Sequence, residues 1–344
     1  MNQKAKSSIL ITGVAGFIGF HVADYFLKQG HSVVGLDNLN NYYDIKLKED
    51  RLSELGIELN FNDDLNAIQS KNINFKFVKG SIEDLNVWNY LAEHFSFSEV
   101  IHLAAQGGVR HSIENPRVYI QSNINGFLEV LEFCRNQKIN KLIYASSSSV
   151  YGDTSKQPFS ETERCDTPIS LYAATKRTNE LMASTYAHLF NLDSIGLRFF
   201  TVYGPWGRPD MAPFLFTSAA VNNTIINVFN NGNQSRDFTY IDDIVHGIYQ
   251  IWNQKEKIQG SMLCNIGNGA PVNLMDFISE LENATGRKIS KNLLPAQPGD
   301  VTETYADISI LQNIFGYQPS ISIQQGVCQF YDWYKTYYSV PVSI

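Results

Sequence analysis

A chain of 344 residues is long enough to form one large domain or two closely joined domains with a substantial hydrophobic core. Its 44% hydrophobic and 18% charged residues are typical of a globular protein. The formal net charge of -7 argues against nucleic acid and anionic membranes as general partners, because both require a basic protein surface.

Cysteine usage and the N-terminal segment bear on the compartment. No C-x-x-C pair or zinc-spaced His/Cys cluster occurs, so we expect no metal site. The N-terminal polar residues run directly into an apolar strand, unlike a signal peptide, and no window is apolar for the length that spans a bilayer. These features predict a cytoplasmic protein, without membrane partners, whose cysteines are buried free thiols. The cysteines are Cys134, Cys165, Cys264 and Cys328.

The first two hundred residues alternate short apolar runs with longer segments of helical period. Apolar residues at three-and-four spacing, closed by Gly30, predict a helix directly after the first strand. This alternation indicates an α/β fold, a doubly wound parallel Rossmann sheet with helices on both faces. The predicted strands are Ser8–Thr12, Ser32–Leu36, Phe75–Val78, Val100–Leu103, Leu142–Ala145 and Ser194–Phe199.

Two departures from this rhythm suggest the domain organisation. Residues 38–72 are rich in Asn, Asp and charged residues and are predicted to be an insertion with a helix around Leu47–Leu55. Beyond about residue 200 the elements shorten, which predicts a smaller, mixed α/β C-terminal lobe. The expected domains are a first domain over 1–200 and a second lobe over 201–344, with segments around 240–266 returning to the first domain.

A glycine-rich turn follows the first strand. Gly13, Gly16 and Gly19 allow a tight turn and a close approach of the backbone to a pyrophosphate, whose charge the start of the following helix favours. Asp37 follows the next predicted strand and can accept hydrogen bonds from both ribose hydroxyls, while repelling a 2′-phosphate. The sequence therefore predicts a dinucleotide site that takes NAD in preference to NADP.

Tyr172 and Lys176 lie one helical turn apart, so their side chains project from the same helix face. An ammonium group there favours the phenolate, which suits a general base. With the G-x-x-G-x-x-G turn and the run Ser146–Ser149 before Val150-Tyr151-Gly152, this pair resembles the extended short-chain dehydrogenase/reductase family.

This resemblance implies roles for further residues. Ser147 would assist Tyr172, Lys176 would also bind the nicotinamide ribose, and Asn123 would lie close to the cofactor, although the residues alone fit a plain helix-interior asparagine nearly as well. Relatives often carry Asp in a motif that contacts adenine, where this chain has Ser81, which can still form a hydrogen bond. The other residues expected at the cofactor are Phe17, Ile18, Asn38, Ile82, Leu103, Ala104 and Ala105.

The serine run separates the possible reactions of extended members. Dehydratases and decarboxylases of the family place acidic residues in this segment, whereas this chain has Ser147, Ser148 and Ser149. A site without a second acid or base is best suited to reversible hydride transfer alone. The resemblance therefore implies a nucleotide-sugar 4-epimerase, which oxidises sugar carbon 4 and reduces it from the other face.

Three motifs resemble those of UDP-glucuronate 4-epimerases: Asp37–Asp44, His102–Ser112 and Arg198–Ala212. The resemblance covers essentially the whole chain and implies a homodimer. It also implies that the domain over 1–200 binds NAD and that the lobe over 201–344 binds the nucleotide sugar. It also implies that the substrate carboxylate is held by hydroxyl groups, which would prevent the 4-keto sugar, a β-keto acid, from losing CO₂. The residues expected around the sugar and its carboxylate are Ser147, Ser148, Ser149, Thr201, Arg208 and Arg110.

The nucleotide half of the substrate has its own candidates. Arg236, in Arg-Asp-Phe-Thr-Tyr-Ile-Asp-Asp, matches the family arginine that pairs with the diphosphate, and a guanidinium suits phosphate oxygens. Asp300 matches the aspartate that holds the uridine ribose. Two alternatives stay open: an epimerase of a neutral UDP-hexose or UDP-N-acetylhexosamine, and a catalytically inactive NAD-binding regulator.

Overall fold

A computed structural model describes residues 7–58, 65–153, 156–296 and 302–340. The strands in chain order are β1 Ser8–Thr12, β2 Val33–Asp37, β3 Ala67–Gln69, β4 Phe75–Lys79, β5 Phe97–His102, β6 Lys141–Ser147, β7 Asp193–Phe199, β8 Thr201–Tyr203, β9 Ile225–Val228, β10 Ser235–Arg236, β11 Phe238–Tyr240, β12 Ser261–Ile266, β13 Val272–Asn273, β14 Ser290–Leu293 and β15 Glu303–Thr304. The helices are α1 Phe17–Lys28, α2 Ile45–Glu54, α3 Leu85–His94, α4 His111–Glu114, α5 Pro116–Tyr119, α6 Gly126–Asn136, α7 Leu171–Phe190, α8 Ala212–Asn222, α9 Ile241–Asn253, α10 Leu274–Thr285, α11 Ser309–Phe315 and α12 Ile323–Tyr337.

A large sheet confirms the predicted fold class. Eight strands lie in the order β12-β7-β6-β5-β1-β2-β4-β3. The central pairs β1–β2, β1–β5, β2–β4 and β5–β6 are parallel, and only the short β3 is seen to run antiparallel to its neighbour β4 among the pairs with a described register. Parallel strands are covered on both faces, which explains why the predicted strands were readable as continuous apolar runs.

The described residues divide into two compact units. Unit 1 comprises Met1–Gly152, Arg164–Arg198 and Ile248–Cys264, and unit 2 comprises Asp153–Glu163, Phe199–Gly247 and Asn265–Ile344. The chain thus passes between the units several times. The assignment of a cofactor domain to 1–200 and of a substrate lobe to 201–344 stays a prediction.

Unit 1 is built around the sheet and its flanking helices. The apolar stripe of α1 is buried, and Gly30 ends that segment in a left-handed conformation with φ 81°, as its position after the helix predicts. On the other side, side chains of α3 and α6 such as Trp88, Leu91 and Leu131 pack into one core with the strands. The sheet therefore provides a rigid support for the loops at the ends of its strands.

The predicted insertion contains the expected helix, displaced by one or two residues. Asp44 caps α2 by accepting a hydrogen bond from the backbone N–H of Lys46 (3.0 Å), and the helix ends at Glu54. Part of the insertion also enters the large sheet as β3. The sequence pattern did not reveal this strand because its three residues are too short for a periodic signal.

The cysteines test one further expectation. Cys134, Cys165 and Cys264 are buried free thiols as predicted, but Cys328 on α12 is exposed, so the prediction of burial is wrong for this residue. Within the described ranges, no helix combines the length and apolarity needed to cross a membrane. No group of three His, Cys, Asp or Glu side chains in those ranges is arranged to hold a metal ion.

Candidate active site

The glycine turn between β1 and α1 packs tightly against the end of β5. Gly13 adopts φ 75°, and a Cβ atom there would lie 2.7 Å from the backbone N of Ala104. A Cβ atom at Gly19 would clash with the carbonyl oxygen of Gly13. Side chains are therefore excluded at both positions, and the turn brings bare backbone and residues 103–105 together, as expected of a dinucleotide turn.

The start of α1 is suited to an anionic group. The helix begins at Phe17 after Gly16, which has no side chain that could cap the free N–H groups. The first turn of the helix carries no acidic residue. Unpaired N–H groups and the helix dipole favour a phosphate at such a terminus. The first turn also contains Ile18, the remaining residue of this segment that the sequence predicts at the cofactor.

Asp37 lies at the end of β2 beside this turn. Its Oδ2 accepts a hydrogen bond from the backbone N–H of Ala15 (3.1 Å), and its Oδ1 accepts one from Leu39 (2.9 Å). Asn38 donates from Nδ2 to the Ser81 hydroxyl (3.0 Å), and the neighbouring Ile82 is buried. The structure therefore brings together the residues predicted to contact the adenosine half of a dinucleotide.

A buried arginine that the sequence does not reveal is bonded to the same turn. Arg51 on α2 is fully buried and donates from Nη1 to the Ala15 carbonyl (2.8 Å) and to the Tyr43 hydroxyl (2.7 Å). The insertion helix is thus fastened to the glycine turn. An arginine in a charged, polar segment gives no sequence signal that distinguishes this position from a solvated one.

Tyr172 and Lys176 lie in the first turns of α7. Ser170 caps the helix by accepting a hydrogen bond from the backbone N–H of Ala173 (3.1 Å). Tyr172 is partly exposed, whereas Lys176 is 2% exposed and donates from Nζ to the Ala145 carbonyl at the end of β6 (2.9 Å). Both side chains therefore project from one helix face toward the carboxyl end of the sheet.

Burial makes Lys176 an unusual ammonium group. Loss of solvent lowers its pKa to about 8, and the negative charge of Glu180 opposes this shift. His102 at the end of β5 is also buried, and burial followed by the charge of Lys176 lowers its pKa to about 3. Its Nδ1 lies 2.8 Å from the Thr12 hydroxyl. His102 is therefore neutral at pH 7 and adds no positive charge beside Lys176.

The serine run forms a helical turn at the end of β6. The Ser147 hydroxyl lies 3.1 Å from the Ser149 hydroxyl and accepts a hydrogen bond from the Ser149 backbone N–H (3.2 Å). Ser147 is 7% exposed, whereas Ser148 and Ser149 are partly exposed. Helix α7 packs against this turn, which places hydroxyl groups near the start of the helix that carries Tyr172.

Asn123 is more than a plain helix-interior residue. It lies in a π-helical stretch, Ile120–Asn125, and is 2% exposed. Its side chain accepts from the Gln106 backbone N–H (2.8 Å) and donates to the Gln106 carbonyl (3.0 Å) and the Thr175 hydroxyl (3.0 Å). Asn123 therefore joins the loop after β5 to α7, next to Lys176, and π-helical turns are frequent at functional sites.

Arg110 is exposed at the start of α4, in the same unit. The following residue, His111, has its ring centroid 6.0 Å from that of Tyr119, and Tyr119 lies 6.1 Å from Tyr172 in an edge-on arrangement. Tyr119 donates hydrogen bonds to the carbonyls of Gly107 and Gly108, which fixes this loop. The structure thus links the loop that carries Arg110 to Tyr172, and the role of Arg110 toward the sugar stays a prediction.

In unit 2, Thr201 and Arg208 belong to one strand and the loop that follows it. Thr201 begins β8, which pairs in parallel with β11, and its backbone N–H donates to the Asp237 carbonyl (3.0 Å). Arg208 forms a two-pronged ion pair with Asp210, at 2.6 and 3.1 Å. Trp206, between Thr201 and Arg208 in the chain, adopts φ 59°. Its ring centroid lies 5.2 Å from that of Trp333 on α12.

Arg236 lies in β10 of the same unit. Its Nη1 donates to the carbonyls of Ser235 (2.9 Å) and Thr302 (3.2 Å), and its Nη2 donates to Gln234 (3.1 Å). The next residue, Asp237, is fully buried and accepts from three backbone N–H groups and the Thr239 hydroxyl. The strand that carries Arg236 is therefore rigidly fixed. Asp300 lies outside the described residues.

Comparisons with known proteins place the chain among nucleotide-sugar enzymes. The family model described as the NAD dependent epimerase/dehydratase family matches residues 9–267. Protein CapI of Staphylococcus aureus is 49% identical over 96% of this chain and 99% of its own length. A probable UDP-glucuronate 4-epimerase of Rhizobium meliloti is 43% identical over 96% of this chain and 97% of its own length.

Solved structures agree with these matches. The UDP-glucuronic acid 4-epimerase of Bacillus cereus, in complex with UDP-glucuronic acid and NAD, aligns with a TM-score of 0.85 and 34% identity, over 96% of this chain and 100% of its own. The family match includes the glycine turn, the serine turn and the Tyr172–Lys176 helix, and it covers well over half of the sequence. The chain therefore belongs to the NAD-dependent epimerase/dehydratase family.

Proposed function

We propose that this chain is a UDP-glucuronate 4-epimerase that interconverts UDP-glucuronate and UDP-galacturonate. The observation that carries the proposal is the buried ammonium of Lys176, one helical turn from Tyr172 and beside a turn made of hydroxyl groups. Two relatives named for this activity align over 97% and 100% of their own length. The second is 34% identical to this chain, whereas the UDP-glucose 4-epimerase structure from Thermotoga maritima is 27% identical, which supports the choice of a uronate over a neutral sugar.

NAD is the cofactor of this family, and when bound it would supply the acceptor and donor for the hydride of sugar carbon 4. The side-chain-free backbone at Gly13 and Gly19, the uncapped start of α1 and the carboxylate of Asp37 fit a dinucleotide. We assign the cofactor contacts to these residues, to Asn38 and Ser81, and to Lys176.

The remaining chemistry is proton transfer by the protein. Tyr172, as the phenolate, takes the proton of the sugar 4-hydroxyl when carbon 4 is oxidised, and returns it when the ketone is reduced. Lys176 stabilises the phenolate by its positive charge, since an opposite charge within one helical turn favours the ionised form. The Ser147 hydroxyl, which donates to the Ser149 hydroxyl in this structure, can rotate to donate to the 4-oxygen of the sugar.

The serine turn limits the reaction to epimerisation. Ser147, Ser148 and Ser149 carry no acid that could remove water from the 4-keto sugar. The carboxylate of Glu180 in unit 1 accepts hydrogen bonds from Ser146 (2.6 Å) and from two arginines, so it is held away from proton transfer. The oxidised sugar therefore does not lose water at this site and can be reduced again, from either face.

The 4-keto uronate is also a β-keto acid, so its carboxylate must be restrained. Loss of CO₂ requires the bond between carbon 5 and the carboxylate to align with the carbonyl π system. We propose that the hydroxyl groups of the serine turn hold the carboxylate out of this alignment. The contacts predicted for Thr201, Arg208, Arg236, Asp300 and Arg110 are part of the same proposal.

Replacing Ser149 by alanine is expected to raise the fraction of UDP-pentose formed from UDP-glucuronate several-fold, because one hydroxyl restraint on the carboxylate is lost. Chromatography of the products measures this fraction. Ser279→Ala on α10, which removes an exposed hydroxyl bonded only to the helix backbone (2.9 Å) among its described contacts, serves as the control. Identical product ratios in wild type and Ser149→Ala would refute the restraint by this residue.

One assay tests the function itself. Wild-type protein is incubated separately with UDP-glucuronate, UDP-glucose and UDP-N-acetylglucosamine, and the products are resolved by chromatography. We expect UDP-galacturonate from the first and at least ~10-fold slower conversion of the others, since one unsatisfied charged contact costs more than 1.4 kcal/mol. Turnover of a neutral sugar alone would overturn the substrate assignment and favour the neutral-sugar alternative. Absence of any turnover would favour the inactive regulator.

We further infer a homodimer. Leu128 on α6 is 38% exposed, and Leu181 and Leu189 on α7 are 54% and 58% exposed. Helices α6 and α7 pack side by side, and exposed apolar residues on neighbouring helices are suited to a contact between protein chains. Analytical ultracentrifugation tests the oligomeric state. A cytoplasmic location stays a prediction from the sequence.

A further inference from the structure

A buried cluster of charges lies on α7 and the strands beside it, one helical turn beyond Lys176, within unit 1. Glu180 and Arg198 have side chains that are 1% and 0% exposed, and they form two parallel hydrogen bonds of 2.9 and 2.8 Å. Arg177 donates to the same carboxylate (2.9 Å), as does the Ser146 hydroxyl (2.6 Å). The carboxylate of Glu180 is thus the common acceptor of the cluster.

This cluster touches every element that carries a predicted catalytic group. Ser146 lies next to Ser147 at the end of β6. The guanidinium of Arg198, at the end of β7, lies 4.7 Å from the ring centroid of Tyr151, in the same turn as Ser148 and Ser149. Glu180 is one helical turn beyond Lys176 on α7. One ion pair therefore joins the strand end, the serine turn and the catalytic helix.

The charges of the cluster act on Lys176. Burial opposes ionisation of Glu180, but the hydrogen bonds and charge of Arg198, with Ser146 and Arg177, outweigh it and hold the pKa of Glu180 below its ordinary value. The carboxylate is therefore ionised at neutral pH, one helical turn from a lysine that burial drives toward the neutral amine.

Other titratable groups lie near Lys176 and Glu180 on the neighbouring elements. His102 on β5, which interacts with the charge of Lys176, is neutral. Burial raises the pKa of the Tyr144 hydroxyl on β6, which interacts with Glu180 and its two arginines, so this group is neutral as well. Tyr172 lies on the same face of α7. Among these groups, Glu180 is the anion that can offset the desolvation of Lys176 while Tyr172 is protonated.

We propose that Glu180 is a positioning residue of the epimerase: held by Arg198, it keeps Lys176 an ammonium ion and fixes the serine turn that faces the substrate. This inference rests on the proposed function for its kinetic consequence. Its electrostatic part concerns Lys176 itself and is measurable without substrate.

The test replaces Glu180 by glutamine, which keeps the shape and the hydrogen-bonding capacity but removes the charge. The ε-carbon of Lys176 is followed by NMR in protein labelled with [¹³C]lysine and saturated with NAD, and its resonance is identified by its loss in Lys176→Met. In Glu180→Gln we expect it to titrate about 1 pH unit or more below wild type, because a nearby opposite charge stabilises an ammonium by at least this amount.

The kinetic readout is the pH profile of epimerisation. Activity needs the ammonium form of Lys176, so it falls as pH rises through the pKa of this group. In Glu180→Gln the alkaline limb of kcat therefore moves to lower pH by the same amount, with kcat about 10-fold lower at the alkaline end and KM little changed. Glu180→Asp, which keeps the charge, is expected to titrate between the two.

Controls separate this role from a structural one. Glu132→Gln removes a carboxylate on α6 that is bonded to Tyr186 and Arg135, and it should leave both readouts at the wild-type value. If Glu180→Gln does not fold, the double variant Glu180→Gln/Arg198→Met avoids an unpaired buried arginine and should show a shift in the same direction. An unchanged Lys176 titration in the folded variant overturns the inference, whereas absence of turnover in wild type counts against the proposed function.

Discussion

Replacing Tyr172 by phenylalanine is expected to lower kcat for UDP-glucuronate by about 10²–10⁴-fold, the range that general acid–base catalysis contributes. The variant loses one oxygen atom, the one that exchanges a proton with the sugar 4-hydroxyl. The ring still packs edge-on against Tyr119, and Lys176 keeps its bond to the Ala145 carbonyl. Bound NAD and thermal stability should therefore stay close to wild type. The rate is measured by chromatography, and the NAD content by absorbance after denaturation.

Tyr186→Phe is the matched control for this variant. Tyr186 lies on the same helix and loses the same atom, but its hydroxyl donates to Glu132 at 2.5 Å, away from Lys176. It should epimerise at the wild-type rate. If Tyr172→Phe keeps more than about a tenth of wild-type kcat, Tyr172 is not the general base.

The sheet could be predicted from the sequence because its strands are buried on both faces. The predicted run Ser8–Thr12 coincides with β1, and Ser194–Phe199 with β7 to within one residue. Continuous apolar runs between helical segments leave few other arrangements. Helix ends could also be predicted where a specific residue terminates the helix, as Gly30 with its positive φ does after α1.

The edges of the sheet could not be predicted in the same way. Strand β12, Ser261–Ile266, joins the sheet beside β7 although many residues and several elements of unit 2 separate them in the chain. The sequence predicts that segments around 240–266 return to the first domain, but the apolar pattern of β12 is short and nothing local specifies β7 as its partner. The passage of the chain between the two units has the same origin, since it depends on tertiary packing and not on local propensity.

The residues of the candidate site also differ in how far the sequence reveals them. The residues whose function depends on spacing, Gly13 with Gly16 and Tyr172 with Lys176, are evident from the sequence. The buried pair Glu180–Arg198 was not found, because an arginine at the end of a strand and a glutamate on a helix are ordinarily solvated. The roles of Thr201, Arg208 and Arg236 toward substrate stay predictions.

Replacing Gly13 by alanine is expected to weaken NAD binding by about 10- to 100-fold, because overpacking at this position costs about 1–3 kcal/mol of binding free energy. The new Cβ would lie 2.7 Å from the backbone N of Ala104 and 2.9 Å from its Cα. These atoms follow β5, in the middle of the sheet, so they cannot move aside without disturbing strand pairing. The turn itself must shift, and with it the backbone that approaches the pyrophosphate. The NAD content of the purified protein and calorimetric titration of the NAD-free protein measure the loss.

Gly30→Ala provides the matched control, because it shares the backbone strain but not the contact. Gly30 adopts φ 81°, close to the 75° of Gly13, and nothing lies within 4 Å of the Cβ that alanine would add. A left-handed alanine costs about 1–2 kcal/mol at either position. Both variants should therefore lose a similar amount of stability from strain, but only Gly13→Ala should lose NAD. Equal retention of NAD by the two variants would show that close packing of this turn against β5 is not what the cofactor requires.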